Sequence, residues 1–319
     1  RQWSLDNFGE DLLALPKEGR LYVWDESAGT GTRAVVVSTA PSASNFMFVS
    51  QQDRHVICLG THGVASGFDP MLVRWSDQND YTNWNVNVSS TSGENQLGDG
   101  SELVTGLNTR NQSLIWTDNA VHAMEFVGPP FIFNFRQLGS NCGIAGQHAA
   151  IELDGRIFWM GAKDFFVYDG AVKALPCTVR RFVYDDFNFD QKEKVYAGTN
   201  QEFREVTWLY PSKNSTEVDR YVSYNPVENY WTFGTTIFTT WEDKEVFQNV
   251  ITTGREADGD NYLYTNEPEG IYTADGQKQE AFLESSEFDT SPPSYGPGDS
   301  IMYLDRIVPD FTINDGGRV

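Results

Sequence analysis

Cysteine, histidine and positive charge are all scarce in this chain of 319 residues. The three cysteines, Cys58, Cys142 and Cys177, lie far apart with no C-x-x-C pair. That spacing excludes a zinc ribbon and a disulfide framework, and it points to folding in a reducing compartment. The four histidines, His55, His62, His122 and His148, show neither an H-E-x-x-H spacing nor a partner cysteine, so turn or core positions are expected rather than metal ligation. Lys and Arg number 23 against 45 Asp and Glu, a formal net charge of -22. So acidic a chain does not hold nucleic acid or anionic lipid over its average surface. No run of the roughly 18 apolar residues that a membrane-crossing helix needs is present. No charged-then-apolar leader precedes Trp3, and the opening at Arg1 rather than Met leaves room for an upstream piece. No G-x-S-x-G elbow is found, and no long amphipathic helix either, although "DNFGEDLLAL" near the start has the makings of one helical turn.

What is plentiful is apolar and aromatic character, at 39% and 14% of the residues, ample for a substantial core. The stretch "GRIFWMGAKDFFVYDG", residues 155–170, shows how it is arranged. On a strand, Ile157 and Trp159 point to one face and Phe158 and Met160 to the other, so neither face is patterned for solvent. Gly161-Ala162-Lys163-Asp164 supplies a turn, after which Phe165-Phe166-Val167-Tyr168 is again apolar on both faces. Such a hairpin belongs between two other layers.

The same unit returns at 20–29, 69–84, 113–128, 204–231 and 261–277. With Trp24, Trp75, Trp116, Trp159, Trp208 and Tyr264 as markers, the separations are 51, 41, 43, 49 and 56 residues. Propeller blades repeat at roughly 40–50 residues and are sandwiched between neighbours, which explains strands apolar on both faces. The expected fold is therefore all-β, a β-propeller of about six irregular blades with little helix; a two-sheet sandwich with long loops is the competing architecture. Asp25, Asp77, Asp118, Asp169 and Asp275 follow apolar strands directly or within two residues. There a carboxylate can bond the backbone two residues on, so these five are expected to shape turns.

Motifs that could signal chemistry are weak. Gly29-Thr30-Gly31-Thr32-Arg33-Ala34 fits G-x-G-x-x-A, but a dinucleotide site needs a helix next and Val35-Val36-Val37 is a strand former. "WSDQNDYTNW", 75–84, is similar to the Asp-box turns of propeller glycosidases but lacks their Gly. Glycoside hydrolysis needs two facing carboxylates, one with a raised pKa, and nothing in the sequence pairs Asp77, Asp118, Glu125 or Asp164. "ADGDNY" at 257–262 has the flavour of a calcium loop without the later Glu. Asn87, Asn111 and Asn214 open N-x-[ST] sequons of the kind that chance supplies. Neither catalysis nor a cofactor is expected.

Six phrases, in order, carry a family likeness: "LVRWSDQNDYTNW", "LIWTDNAVHAMEFVGPPFIF", "NCGIAG", "GRIFWMGAKDFFVYDG", "DRYVSYNPVENYWTFG" and "IMYLDRIVPDF". Together they resemble the tail nozzle proteins of short-tailed bacteriophages, including those described as packaged-DNA stabilisation proteins, from about Trp3 to Phe311. The resemblance implies a propeller domain over 1–311 and a C-terminal segment, 312–319, that stops abruptly. It further implies a virion structural protein assembled in the host cytoplasm, a homo-oligomeric six-fold ring in the tail below the portal and adaptor, through whose channel double-stranded DNA passes without specific binding. The family has no catalytic residues to carry over. An acidic channel wall would repel phosphate, an effect that acts over roughly 8 Å at physiological salt. Against such self-repulsion, basic residues are expected at subunit or partner contacts, with Arg180 and Arg181 as candidates. A carbohydrate-binding or glycan-active propeller is the alternative; it would expose several of Trp75, Trp84, Trp231 and Trp241 on one rim.

Overall fold

The computed structural model describes residues 2–244, 247–255, 259–266, 273–274, 277–278 and 306. The chain forms two compact units, Arg1–Pro268 and Glu269–Val319. The first is a six-bladed, all-β propeller, as the repeat spacing predicts. Each blade is an antiparallel meander whose strands pair in chain order. Blade 1 holds β1 (Trp3–Phe8), β2 (Asp11–Pro16), β3 (Tyr22–Trp24) and β4 (Val35–Val36). Blade 2 holds β5 (Ser44–Val49), β6 (Val56–His62), β7 (Phe68–Trp75) and β8 (Gly93–Gln96), and blade 3 β9 (Leu103–Asn108), β10 (Ser113–Thr117), β11 (Ala120–Gly128) and β12 (Ile132–Ser140). Blade 4 follows with β13 (Ala150–Leu153), β14 (Arg156–Met160), β15 (Phe165–Tyr168) and β16 (Val172–Leu175). Helix α1 (Arg180–Asp186) and a 3-10 segment (Phe189–Lys194) lead into blade 5, with β17 (Tyr196–Asn200), β18 (Glu205–Tyr210), β19 (Arg220–Asn225) and β20 (Tyr230–Thr235). Blade 6 has three strands among the described residues, β21 (Phe238–Glu242), β22 (Ile251–Arg255) and β23 (Asn261–Thr265). In the second unit β24 (Thr273–Ala274) pairs with β25 (Gln277–Lys278).

First strands of neighbouring blades touch, β1 with β5, β5 with β9, β13 with β17 and β17 with β21, so they line the axis. Between blades the core is aromatic. Trp116 of blade 3 meets Trp159 of blade 4 edge-on at 5.5 Å, and Phe165 of blade 4 lies 4.9 Å from both Trp208 and Trp231 of blade 5. Ile157, Phe158, Trp159 and Met160 are all buried, so β14 is covered on both faces, whereas Phe166 to Tyr168 on β15 are half-buried.

Two expectations need correction. "DNFGEDLLAL" forms no helical turn: it is the β1–β2 hairpin, turned at Gly9 with a φ of 73°, because Leu13 and Leu15 alternate into the core. The six aromatic markers count the blades but mix their positions. Trp24, Trp75 and Tyr264 lie on third strands, Trp116, Trp159 and Trp208 on second strands. The uneven separations follow, since either central strand can present a ring to the next blade.

Among the described residues, blade 1 is covered on the face toward blade 2. Phe8, Leu13, Leu15 and Val23 pack with Met47, Val49 and Cys58 of blade 2. The pairing Leu5↔Ala14↔Tyr22↔Val36 and Asn7↔Leu12↔Trp24 defines the opposite face. There Trp3 is 47% and Leu5 61% exposed, and Leu12, Tyr22 and Trp24 are half-buried.

Trp159→Ala should lower stability in urea titrations by about 3–5 kcal/mol, the range for emptying a packed aromatic site. Phe166→Ala, which removes a half-buried ring, should lower it by less; equal small effects would contradict the buried-blade packing.

Candidate functional site at the propeller axis

The segment between blades 3 and 4, Asn141 to Ala149, is drawn inward by its own composition. Gly143 sits so close to blade 3 that a Cβ there would lie 2.2 Å from the Asp118 carbonyl oxygen, and one at Gly146 would lie 2.9 Å from that of Lys192. This glycine-bearing strap gathers the first strands of four other blades. Gln147 Nε2 donates to the Asn45 carbonyl at 2.9 Å, and Thr105 Oγ1 donates to the Gln147 carbonyl at 2.9 Å. The His148 ring stacks on Tyr196 at 5.1 Å and hydrogen-bonds the Trp3 backbone, while Ala197 N donates to the His148 carbonyl at 2.6 Å. Blades 1, 2, 3 and 5 thus meet on a strap that itself enters blade 4. The cavity left among Gln2, Asn45, Leu103 and Gln147 is about 10 Å³, room for one water at most. The Asn45 Oδ1 and Gln2 Oε1 acceptors are buried there without protein partners. Next to it opens a polar cleft of about 400 Å³ lined by Gln2, Lys17, Asp190, Glu193 and Lys194. Its lysines are engaged, Lys17 with Glu193 at 2.5 Å and Lys194 with Glu217 at 2.6 Å.

A second constellation has the elements of an acyl-transfer triad. Asp53 Oδ1 lies 3.0 Å from His55 Nδ1, and His55 Nε2 3.0 Å from Thr91 Oγ1. The hydroxyl is spoken for, however: it donates to Asp77 Oδ1 at 2.5 Å and accepts from Gln78 N at 2.9 Å. His55 and Asp53 are buried, against Phe133 and Phe126, so no substrate reaches them. The network ties the Asp77–Thr91 loop to the β5–β6 turn.

Most sequence-chosen aspartates make local contacts with their own turns. Asp25 accepts from Ser27 N at 2.9 Å and caps the 3-10 turn 26–28. Asp77 accepts from Thr91 N, Gln78 N and Asn83 Nδ2, and Asp118 from Ser101 N and Oγ at 2.7 and 2.5 Å. Partial burial pushes both carboxyls up, but the hydrogen bonds, led by Thr91 and Ser101, outweigh it and hold them below the ordinary value. Asp169 pairs with Lys173 at 2.7 Å, which holds its carboxyl low. Asp275 lies outside the described residues. Glu125 is exposed on β11, and Asp164 pairs with Arg180.

Arg180 and Arg181 open α1, a seven-residue helix. They diverge: Arg180 Nε donates to the Lys163 carbonyl at 2.9 Å and pairs with Asp164, while Arg181 reaches Asp185 at 3.4 Å with its side chain 94% exposed. Beside it Phe182 and Phe233, both exposed, lie 4.2 Å apart with their rings tilted. Trp75 and Trp84, two of the four tryptophans a sugar-stacking rim would expose, are buried; Trp231 and Trp241 are half-buried with Nε1 bonded to the Pro176 and Thr199 carbonyls. The G-x-G-x-x-A run leads into β4, a strand. The cysteines are unpaired thiols. Among the described residues no group of three or more His, Cys, Asp and Glu could hold a metal ion, and no helix is long and apolar enough to cross a membrane.

No protein-family model and no curated protein matches the chain. Solved structures with partial similarity to it include two of different origin. A computationally designed protein, Ika8, is 12% identical over 82% of this chain and 70% of that one, with a TM-score of 0.48. The Hsv2 protein of Kluyvelomyces marxianus is 5% identical over 88% and 78%, with a TM-score of 0.45. Neither likeness bears on function.

The axial strap and the triad-like network escaped sequence reasoning. Only the paired glycines of "NCGIAG" signalled a close backbone approach.

Asp77→Ala strands four donors and should lower stability by about 1–3 kcal/mol in thermal or urea denaturation. A separate expectation concerns acid. Burial lowers the pKa of His122 and His148 below the ordinary 6.5, with Asp99 and the Trp3 backbone opposing the shift in turn. The stability these neutral rings contribute is full above the unfolded value and is lost as pH falls through the folded ones. Melting temperature should therefore fall on acidification from pH 6.5 downward, and His148→Gln should flatten that slope.

Proposed function

We propose that this protein is a structural component of a short-tailed bacteriophage tail, a nozzle whose copies form a six-fold ring around the DNA channel, helping retain the packaged genome and letting it pass on ejection. The ordered set of six phrases carries this reading. Five of them fall on the blades and the axial strap: the β7 end with its Asp77 loop, β10 to β12, Asn141–Gly146, the β14–β15 hairpin and the β19–β20 hairpin. The net charge of -22 supports it, because a wall of that sign gives phosphate nothing to adhere to during ejection. The cavity of about 10 Å³ among Gln2, Asn45, Leu103 and Gln147 admits no nucleic acid, and in the ring reading the DNA passes through the lumen that the copies enclose.

Head-to-tail contacts that close generate such a ring. Copies this acidic repel one another, and the contacts offset that with apolar and basic patches. Arg181 with the Phe182–Phe233 pair supplies one; Arg180, half-exposed and paired with Asp164, lies beside it.

Native mass spectrometry of the purified chain, alone and with its neighbouring tail proteins, tests the reading. An assembly of six with an acidic or neutral lumen is the expected result. A chain that stays monomeric beside its tail partners, or a lumen lined by basic residues, overturns it.

A further inference from the structure

We infer that His55 carries a proton on both ring nitrogens and so acts as a latch, which fastens the Asp77–Thr91 loop to the β5–β6 turn and slackens when one proton leaves.

Hydrogen-bond accounting carries the inference. The Thr91 hydroxyl has one proton to give and two lone pairs to offer. Its proton goes to Asp77 Oδ1 at 2.5 Å. Partial burial raises the Asp77 carboxyl, but the bonds from Thr91, Gln78 and Asn83 outweigh it and keep the group ionised, so Asp77 can only accept. One Thr91 lone pair accepts from Gln78 N at 2.9 Å. What remains for His55 Nε2, 3.0 Å away, is the second lone pair, and only an N–H can bond to it. The other ring nitrogen, Nδ1, meets the Asp53 carboxylate at 3.0 Å. Both ring nitrogens therefore face acceptors, an arrangement that the imidazolium satisfies and the neutral ring, with its single proton, does not. Asp53 balances the charge within a pair whose two side chains are buried.

The other neighbours of the ring are apolar. Phe126 and Phe133 of blade 3 lie against it at 5.8 and 5.1 Å, Glu125 is exposed, and the Arg54 guanidinium lies over Phe8. The titratable groups that the nitrogens face are thus Asp53 and, one hydroxyl further, Asp77. When rising pH takes a proton from the ring to solvent, the remaining one stays with Asp53 and Nε2 becomes an acceptor. Thr91 then has one proton for two acceptors, so either the His55 or the Asp77 bond is lost. The Trp75 Nε1 bond to the Thr91 carbonyl, 2.8 Å, is untouched, and the loop slackens while the blade keeps its ring.

Nitrogen-15 NMR of the full chain labelled at histidine tests this. The His55 signals are assigned by their loss in His55→Gln or, should that variant not fold, by their shift in Thr91→Val. At neutral pH both ring nitrogens should be protonated, each coupled to its own hydrogen; one unprotonated nitrogen overturns the latch. Hydrogen exchange of residues 77–91, corrected for the intrinsic effect of pH, gives a second readout. Relative to the strands of blade 2, it should quicken at least about tenfold between about pH 5 and about pH 9, and in Thr91→Val it should be fast throughout. A loop whose protection ignores pH, or a Thr91→Val chain that keeps the pH response, overturns the latch as well. His122 and His148 move whole-chain melting in the opposite direction, and the local readout separates the two effects.

Discussion

Burial of aromatic rings between successive blades is the interaction on which the rest of the molecule depends. A blade is a thin sheet, and it draws its stability from the faces that its neighbours cover. The Trp116–Trp159 contact and the cluster of Phe165, Trp208 and Trp231 supply that cover; Trp116 Nε1 is buried without a hydrogen-bond partner, but two of the other indoles find acceptors. Trp159 Nε1 finds the Cys142 carbonyl at 2.9 Å and Trp208 Nε1 the Ala149 carbonyl at 3.1 Å, so the rings that join the blades also fasten both ends of the axial strap. Core and axis are built from the same side chains.

The acidic composition has a structural share. Asp25, Asp77 and Asp118 bind backbone N–H groups at turns, Asp6 and Asp53 bind within or between blades, and Asp169 pairs with Lys173. A carboxylate that accepts several N–H bonds replaces the ladder that the chain abandons when it reverses. The charge left over sits on surfaces where it sets what the protein repels.

Much of the fold was legible because a blade needs apolar residues on both faces of a strand, and "GRIFWMGAKDFFVYDG" displays that without ambiguity. The helix expected at "DNFGEDLLAL" failed because Phe8, Leu12, Leu13 and Leu15 fit a helical spacing almost as well as an alternating one, and tertiary pairing decided between them. The α1 helix was missed because seven residues hold too little periodicity to read. At the axis, Asn45, Gln147 and Gln2 are ordinary polar residues in sequence. Only the convergence of the first strands makes them neighbours, and convergence of that kind leaves no local trace.

The strap also determines how the propeller can come apart. Repeat proteins in which each unit touches only the next can fray from an end. Here the Gln147 side chain bonds the Asn45 carbonyl across 102 positions, and its backbone carbonyl accepts from Thr105 across 42. Contacts of such separation slow folding, since long loops must close before they form. They also deny the chain a sequence of partly folded states in which blades are shed one at a time, so the blades that meet on the strap gain or lose order together.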